Sequence, residues 1–252
     1  MEQALRSMSC NRKEGYLREG RIDRKRLVQI GKGLSKEVFY KVRDGIGMDV
    51  AVELLVDESG SMNYWNTIKT VIIMLCEAMY QIGVPFEVTG TTTKYMSGNG
   101  KLKKLEIDLD GFNRVNPIEY NHYKRFNDNW LVVKNKVVQM DSHNHNIDGE
   151  TVEYAARCLL GRPERRKIIL SLTDGEPCGG HDNDKLMGDN LRKVCERVRR
   201  FGVEVYGFGI FTRAPVQYYG DDYFVYLPEV ASLGNDLVKN FCKILTGGMV
   251  CV

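Results

Sequence analysis

The sequence predicts a doubly wound α/β fold: a mostly parallel central sheet with helices on both faces and one antiparallel edge strand. Two observations carry this. Apolar runs at 50–56, 167–173 and 203–210 are strand-length and alternate with segments of helical period. The first two end in polar turns, Asp57-Glu58-Ser59-Gly60-Ser61 and Asp174-Gly175. Strands separated by helices pair in parallel, and a parallel sheet is covered on both faces.

The elements follow in order. Val50 to Val56 is the first central strand. From Trp65, apolar residues recur at Ile68, Ile72, Leu75, Cys76, Met79 and Ile82, a helical spacing that Gly83 and Pro85 end. Phe86 to Thr93 is a second strand. Leu102 to Leu109 alternates and is predicted as the edge strand, and 110–128 as a long surface loop. Trp130 to Met140 and Gly149 to Leu160 are predicted helices, the second ended by Gly161 and Pro163. After strand 167–173 come a basic amphipathic helix (190–201) stopped by Gly202, strand 203–210, a short strand 223–227 and a closing helix 235–245. One domain over 48–252 accounts for these elements, with 1–47 as a basic extension packing on it.

Charge is unevenly spread. Residues 1–43 hold 12 Lys/Arg against 5 Asp/Glu, while the whole chain is only +3. The basic leader reads as a solvated helix plus an edge strand; nucleic acid is not an expected partner, because no recognition motif accompanies the charge. No apolar run reaches the 18 or so residues of a membrane helix, and the N-terminus shows no secretory h-region. The 7 cysteines are scattered without a C-x-x-C pair, which reads as reduced intracellular thiols and predicts a cytoplasmic protein.

The chemistry concentrates at two strand ends. Asp57, Ser59 and Ser61 offer three hard oxygens at i, i+2 and i+4, ahead of a helix N-terminus, a set that suits Mg²⁺ or Mn²⁺. Asp174 ends a second strand about 115 residues later. Alone, Asp174-Gly175 is an ordinary turn; paired with D-x-S-x-S it completes a metal site, since ligands of open α/β sheets sit beyond the carboxyl ends of the strands.

Val-Asp-Glu-Ser-Gly-Ser-Met (56–62) with Leu-Thr-Asp-Gly (172–175) resembles the von Willebrand factor A domain, a Rossmann-like fold, and its metal-ion-dependent adhesion site. Three further stretches resemble the C-terminal A domain of the cobaltochelatase T subunit (CobT-like): 19–27, 87–93, and Asn146-Ile147-Asp148-Gly149-Glu150 with Leu160-Gly161-Arg162-Pro163-Glu164-Arg165-Arg166. The resemblance runs from about residue 15 to about 245. It implies a third metal loop just before a helix, commonly supplying a threonine. Here Asn146 takes that position and Asp148 is the alternative, its own alternative being helix N-capping. The resemblance further implies that the ion recruits a partner's Asp or Glu and that the partner is an AAA+ ATPase (CobS/MoxR-like). The family's T subunit carries a long acidic N-terminal region that this sequence does not contain. A stand-alone, for example virus-encoded, adaptor with another client, acting in a host cytoplasm, is therefore kept beside the chelatase reading.

Other residues weigh less. His143 and His145 lie near the site without a further ligand at metal spacing. His181-Asp182-Asn183-Asp184 holds only part of a calcium-loop pattern. Glu58 and Glu176 read as outer-sphere or solvent-facing, and Thr91-Thr92-Thr93 as simple strand formers. Arg165, Arg166, Arg199 and Arg200 read as solvated charges or a partner surface. Neither a phosphate loop nor a serine–histidine pair is present, so hydrolysis by this chain alone is not expected.

Overall fold

The computed structural model describes residues 12–17, 19–22, 39–43, 49–94, 117–178, 184–228 and 233–247. They fall into two compact units, 1–49 with 82–84 and 50–81 with 85–252. In the first, β1 (Arg12–Leu17), β2 (Arg21–Ile22) and β3 (Phe39–Arg43) form an antiparallel sheet in the order β1-β3-β2. The described residues of the leader are therefore strands, where the sequence predicts a helix and one edge strand. Tyr16, Phe39, Tyr40 and Val42 are strand formers whose signal the dense charge conceals.

The second unit is built on six strands in the order β6-β5-β4-β7-β8-β9. These are β4 (Val50–Asp57), β5 (Phe86–Thr93), β6 (Ile118–Lys124), β7 (Arg166–Thr173), β8 (Val203–Ile210) and β9 (Phe224–Leu227). All neighbours run parallel except β5 and β6. The helices are α1 (Trp65–Gln81), α2 (Trp130–Val133), α3 (Asp148–Leu160), α4 (Asp184–Arg200), α5 (Val216–Tyr219) and α6 (Leu233–Thr246). The chain moves from β4 outward to β5 and then returns to β7 on the other side. The topological switch point therefore lies between the carboxyl ends of β4 and β7.

The layers follow from the alternation of side chains along each strand. Ala51 and Leu55 of β4 and Ile169 of β7 pack with Val152, Ala155 and Leu159 of α3 and Leu191, Val194 and Val198 of α4. Val52, Leu54 and Val56 point the other way and are equally buried. The buried stripes of α1 (Ile68, Val71, Ile72, Leu75) and α6 (Leu237, Phe241, Ile244, Leu245) supply the opposite layer, and these two helices touch.

Three elements differ from expectation. The antiparallel edge strand is β6, inside the segment expected to be a loop; 102–109 lies outside the described residues. Ile118-Glu-Tyr-Asn-His-Tyr-Lys is polar and half-buried on nearly every residue, so its period-2 pattern is muted. Residues 130–140 form one α-turn and then a 3₁₀ segment (Lys134–Gln139); the β-branched Val132, Val133, Val137 and Val138 weaken a continuous α-helix here. Helix α4 begins at Asp184 rather than 190. Gly188, within its first turns, is a packing space: a Cβ would stand 2.4 Å from the Tyr218 ring.

Two of the basic residues are structural. Arg166 forms a fork with Glu204 (2.8 and 2.9 Å) and caps α6 through the Ile244 and Leu245 carbonyls. Arg199 donates to the Val205 and Tyr219 carbonyls and lies 3.8 Å over the Tyr223 ring.

A buried carboxyl group also hides inside the apolar run of β4. Glu53 is 3% exposed; one oxygen accepts the Thr89 hydroxyl at 2.7 Å, and Oε2 makes no hydrogen bond among the described residues. Burial first, and then the facing Glu87, push its carboxyl up to about 8, against 4.5 in the open chain. The folded state holds this proton more tightly than the unfolded state, so the contribution of Glu53 to stability falls as pH rises from 4.5 to about 8 and then levels. Glu53→Gln is uncharged throughout. Its melting temperature relative to wild type is expected to rise steadily from pH 5 to pH 8; a gap independent of pH contradicts the assignment.

Candidate metal centre

The residues predicted for a metal come together at the switch point. Asp57 ends β4, and its Oδ1 accepts the Ser59 N–H at 2.7 Å, which folds the loop back over the strand end. The Ser59 and Ser61 hydroxyls are 2.9 Å apart, and Ser61 donates to Asp174 Oδ1 at 2.8 Å. Asp174 follows β7, the direct neighbour of β4. Asp57, Ser59, Asn146 and Asp148 are buried, while Ser61 is exposed and Asp174 half-exposed. The site thus has a buried acidic floor and an open mouth at Ser61 and Asp174.

Asn146 and Asp148 play different parts. Asn146 Oδ1 accepts the Cys178 N–H at 3.0 Å. That backbone group can only donate, so the orientation of the amide is fixed. Its Nδ2 then reaches Asp57 Oδ2 at 3.0 Å and Asp148 Oδ2 at 3.1 Å. Asn146 accordingly presents a nitrogen, not an oxygen, to the site and clamps two carboxylates. Asp148 does not cap α3: the cap is Ile147, without a side-chain cap bond, and Asp148 is the first helical residue. There its charge is favoured by the helix N-terminus.

The floor is electrostatically tense. Burial and then Asp148 raise the Asp57 carboxyl well above the ordinary carboxylate range. Burial pushes Asp148 up to about 7, opposed by the Asn146 hydrogen bond and reinforced by Asp174. Burial also raises Asp174, opposed by its bond from Ser61. Three carboxyl groups that disfavour one another's ionisation are the arrangement a divalent cation relieves. Among the described residues no three His, Cys, Asp or Glu side chains form a metal-holding group by themselves. An ion here would rely on the serine hydroxyls as well, a hard oxygen set of the kind Mg²⁺ and Mn²⁺ take.

The neighbouring residues frame this centre. His143 and His145 contribute backbone: the His143 N–H donates to the Glu58 carbonyl, and the His145 N–H and carbonyl bond Thr93. His181, Asp182 and Asn183 lie outside the described residues, as does the side chain of Asp184. Glu176 is exposed, as expected, and near Gln217. Thr91, Thr92 and Thr93 do more than form strand. Thr92 Oγ1 accepts the Asn144 N–H, Thr93 Oγ1 accepts the His145 N–H, and the Thr93 carbonyl accepts Asn144 Nδ2 at 2.8 Å. Thr92 and Thr93 staple the 143–146 loop to β5 and set Asn146 in place, while the Thr91 carbonyl accepts the Glu58 N–H at 2.9 Å. Glu58 is fully buried rather than solvent-facing, its carboxylate bonded to Asn121 and Tyr123. Nothing in the local sequence marks those roles except the unusual run of three threonines.

A Bacillus subtilis protein, the uncharacterized YojO, is 26% identical over 192 residues, covering 75% of this chain and 28% of YojO. Protein NorD of Brucella abortus is 24% identical over 199 residues, covering 78% of this chain and 28% of NorD. The chain therefore spans little more than a quarter of these relatives. Among solved structures, proximal thread matrix protein 1 of the mussel byssus, with a zinc-occupied MIDAS motif, superposes with a TM-score of 0.52 at 14% identity, covering 81% of this chain and 46% of that one. No helix among the described residues is long and apolar enough to cross a membrane. The family model described as the cobalamin biosynthesis protein CobT VWA domain matches residues 38–247, and the chain belongs to that family.

Proposed function

We propose that this A domain binds a partner protein through a divalent cation, Mg²⁺ or Mn²⁺, seated at the mouth of the acidic centre. The observation that carries the reading is the chain of close oxygens Ser59–Ser61–Asp174 beside the buried Asp57, at the switch point of the sheet. Ser59 and Ser61 would supply neutral oxygens, Asp57 and Asp174 negative ones, and Asp148 a further carboxylate behind them. Asn146 holds Asp57 and Asp148 in register rather than ligating. When bound, the ion supplies a positive centre with an open position for an acidic side chain. The zinc-occupied MIDAS of the mussel protein supports a metal at this place in the fold.

The partner we propose is an AAA+ ATPase, with this chain as its metal-dependent adaptor, as in cobaltochelatase-like assemblies. Chemistry by this chain alone is not part of the proposal.

Two expectations follow from this centre. In calorimetric titrations, Asp57→Ala and Asp174→Ala each abolish Mn²⁺ binding while the domain still melts cooperatively, whereas Asn146→Ala mainly lowers stability. Its loss strips donors from two buried carboxylates, at a cost of about 1–3 kcal/mol in urea denaturation. Unchanged Mn²⁺ affinity in both aspartate variants rejects the site. Second, a CobS/MoxR-like AAA+ ATPase co-expressed with this chain co-purifies with it in Mg²⁺, and is lost in EDTA or with Asp57→Ala. Retention under both conditions removes the ion from the docking surface.

A further inference from the structure

Glu58 stands between Asp57 and Ser59 yet takes no direct part in the centre. Its close neighbours Gly60 and Ser61 are exposed, so water lies within reach of a side chain on this loop. Glu58 instead has no exposed surface. Its carboxylate crosses β5 at Gly90, where a Cβ would stand 2.4 Å from Glu58 Cδ and 2.5 Å from both carboxylate oxygens. Beyond Gly90 it meets β6: Asn121 Nδ2 donates to Oε2 at 2.7 Å and the Tyr123 hydroxyl to Oε1 at 2.5 Å. The backbone of Glu58 is held as well, its N–H on the Thr91 carbonyl at 2.9 Å and its carbonyl on the His143 N–H at 2.8 Å.

We propose that Glu58 is a positioning residue, a latch that ties the 57–61 loop across β5 to the edge strand. It sets the directions in which Asp57 and Ser59 face the ion. The inference rests on the metal reading of the centre. A buried carboxylate is costly unless its hydrogen bonds are satisfied, and here two donors on another strand satisfy it. A glycine at the one crossing point leaves the room. The loop that orients the candidate ligands is thus tied to a strand that contributes no ligand. Partners of this indirect kind ordinarily change metal affinity by roughly 10–100-fold.

The test is a Mn²⁺ titration of the full chain by calorimetry, paired with thermal melting in EDTA. Glu58→Ala is expected to weaken Mn²⁺ binding by roughly 10–100-fold. Gly90→Ala, which touches no candidate ligand, is expected to weaken it comparably. The atoms its Cβ meets are the end of a side chain, so the strand survives and the carboxylate is pushed off Asn121 and Tyr123. Glu58→Gln has the right length and can bond both partners once the Asn121 amide turns over, so it restores most of the affinity. Adding Tyr123→Phe to Glu58→Ala changes nothing further, because the bond it removes is already gone. If Glu58→Ala and Gly90→Ala bind Mn²⁺ like wild type and only melt lower, Glu58 is merely structural and the latch is overturned. If wild type itself binds no Mn²⁺, the metal reading fails, and the latch with it.

Discussion

Two carboxylates with almost no exposed surface, Asp57 and Asp148, meet across a single amide nitrogen, Nδ2 of Asn146. A protein interior does not tolerate such a pair unless something offsets both desolvation and repulsion. Here the offsets are visible: the Ser59 N–H and the Thr173 hydroxyl also donate to Asp57, and the α3 N-terminus faces Asp148. Even so, burial leaves both carboxyls raised, Asp148 to about 7. The fold holds an acidic floor that protons or a cation must neutralise, and the surrounding hydrogen bonds serve to keep that floor assembled.

The supports come from separate parts of the chain. The Cys178 N–H, beyond β7, orients Asn146; Thr92 and Thr93 of β5 staple the loop that carries it; Glu58 reaches β6. The parallel core places Asp57 and Asp174 on adjacent strand ends, and the hydrogen-bonded loops fix what lies above them. The two parts place different demands on the sequence. Core strands need only apolar residues of suitable volume, whereas the site needs particular oxygens at particular places.

That division also governs what can be read from the chain. Asp57, Ser59, Ser61 and Asp174 are legible because each sits just past an apolar run with the period of a buried strand, and the strand ends define the site. The parallel sheet and its helices are legible for the same reason. The role of Asn146 is not, because it depends on a backbone group 32 residues away. Glu58 is hidden too, since its partners lie 63 and 65 residues on, in a strand too polar to announce itself. Glu53 is overlooked because one charge in an apolar run does not break its pattern, although its environment on β4 is among the most unusual in the molecule. Gly188 and Gly90 illustrate the converse: glycines without any signal in the sequence are spaces for Tyr218 and Glu58.

The central claim is that the acidic floor and the serine hydroxyls above it seat one divalent cation. Anomalous diffraction from crystals grown with Mn²⁺ tests this most directly. The account predicts a single strong peak at about 2.1–2.2 Å from Ser59 Oγ and Ser61 Oγ, with Asp57 and Asp174 completing the protein side and Asn146 outside the shell. A peak at the His143 or His145 imidazole instead, or no peak at the switch point with Asp57 and Asp148 still paired through Asn146, would contradict it.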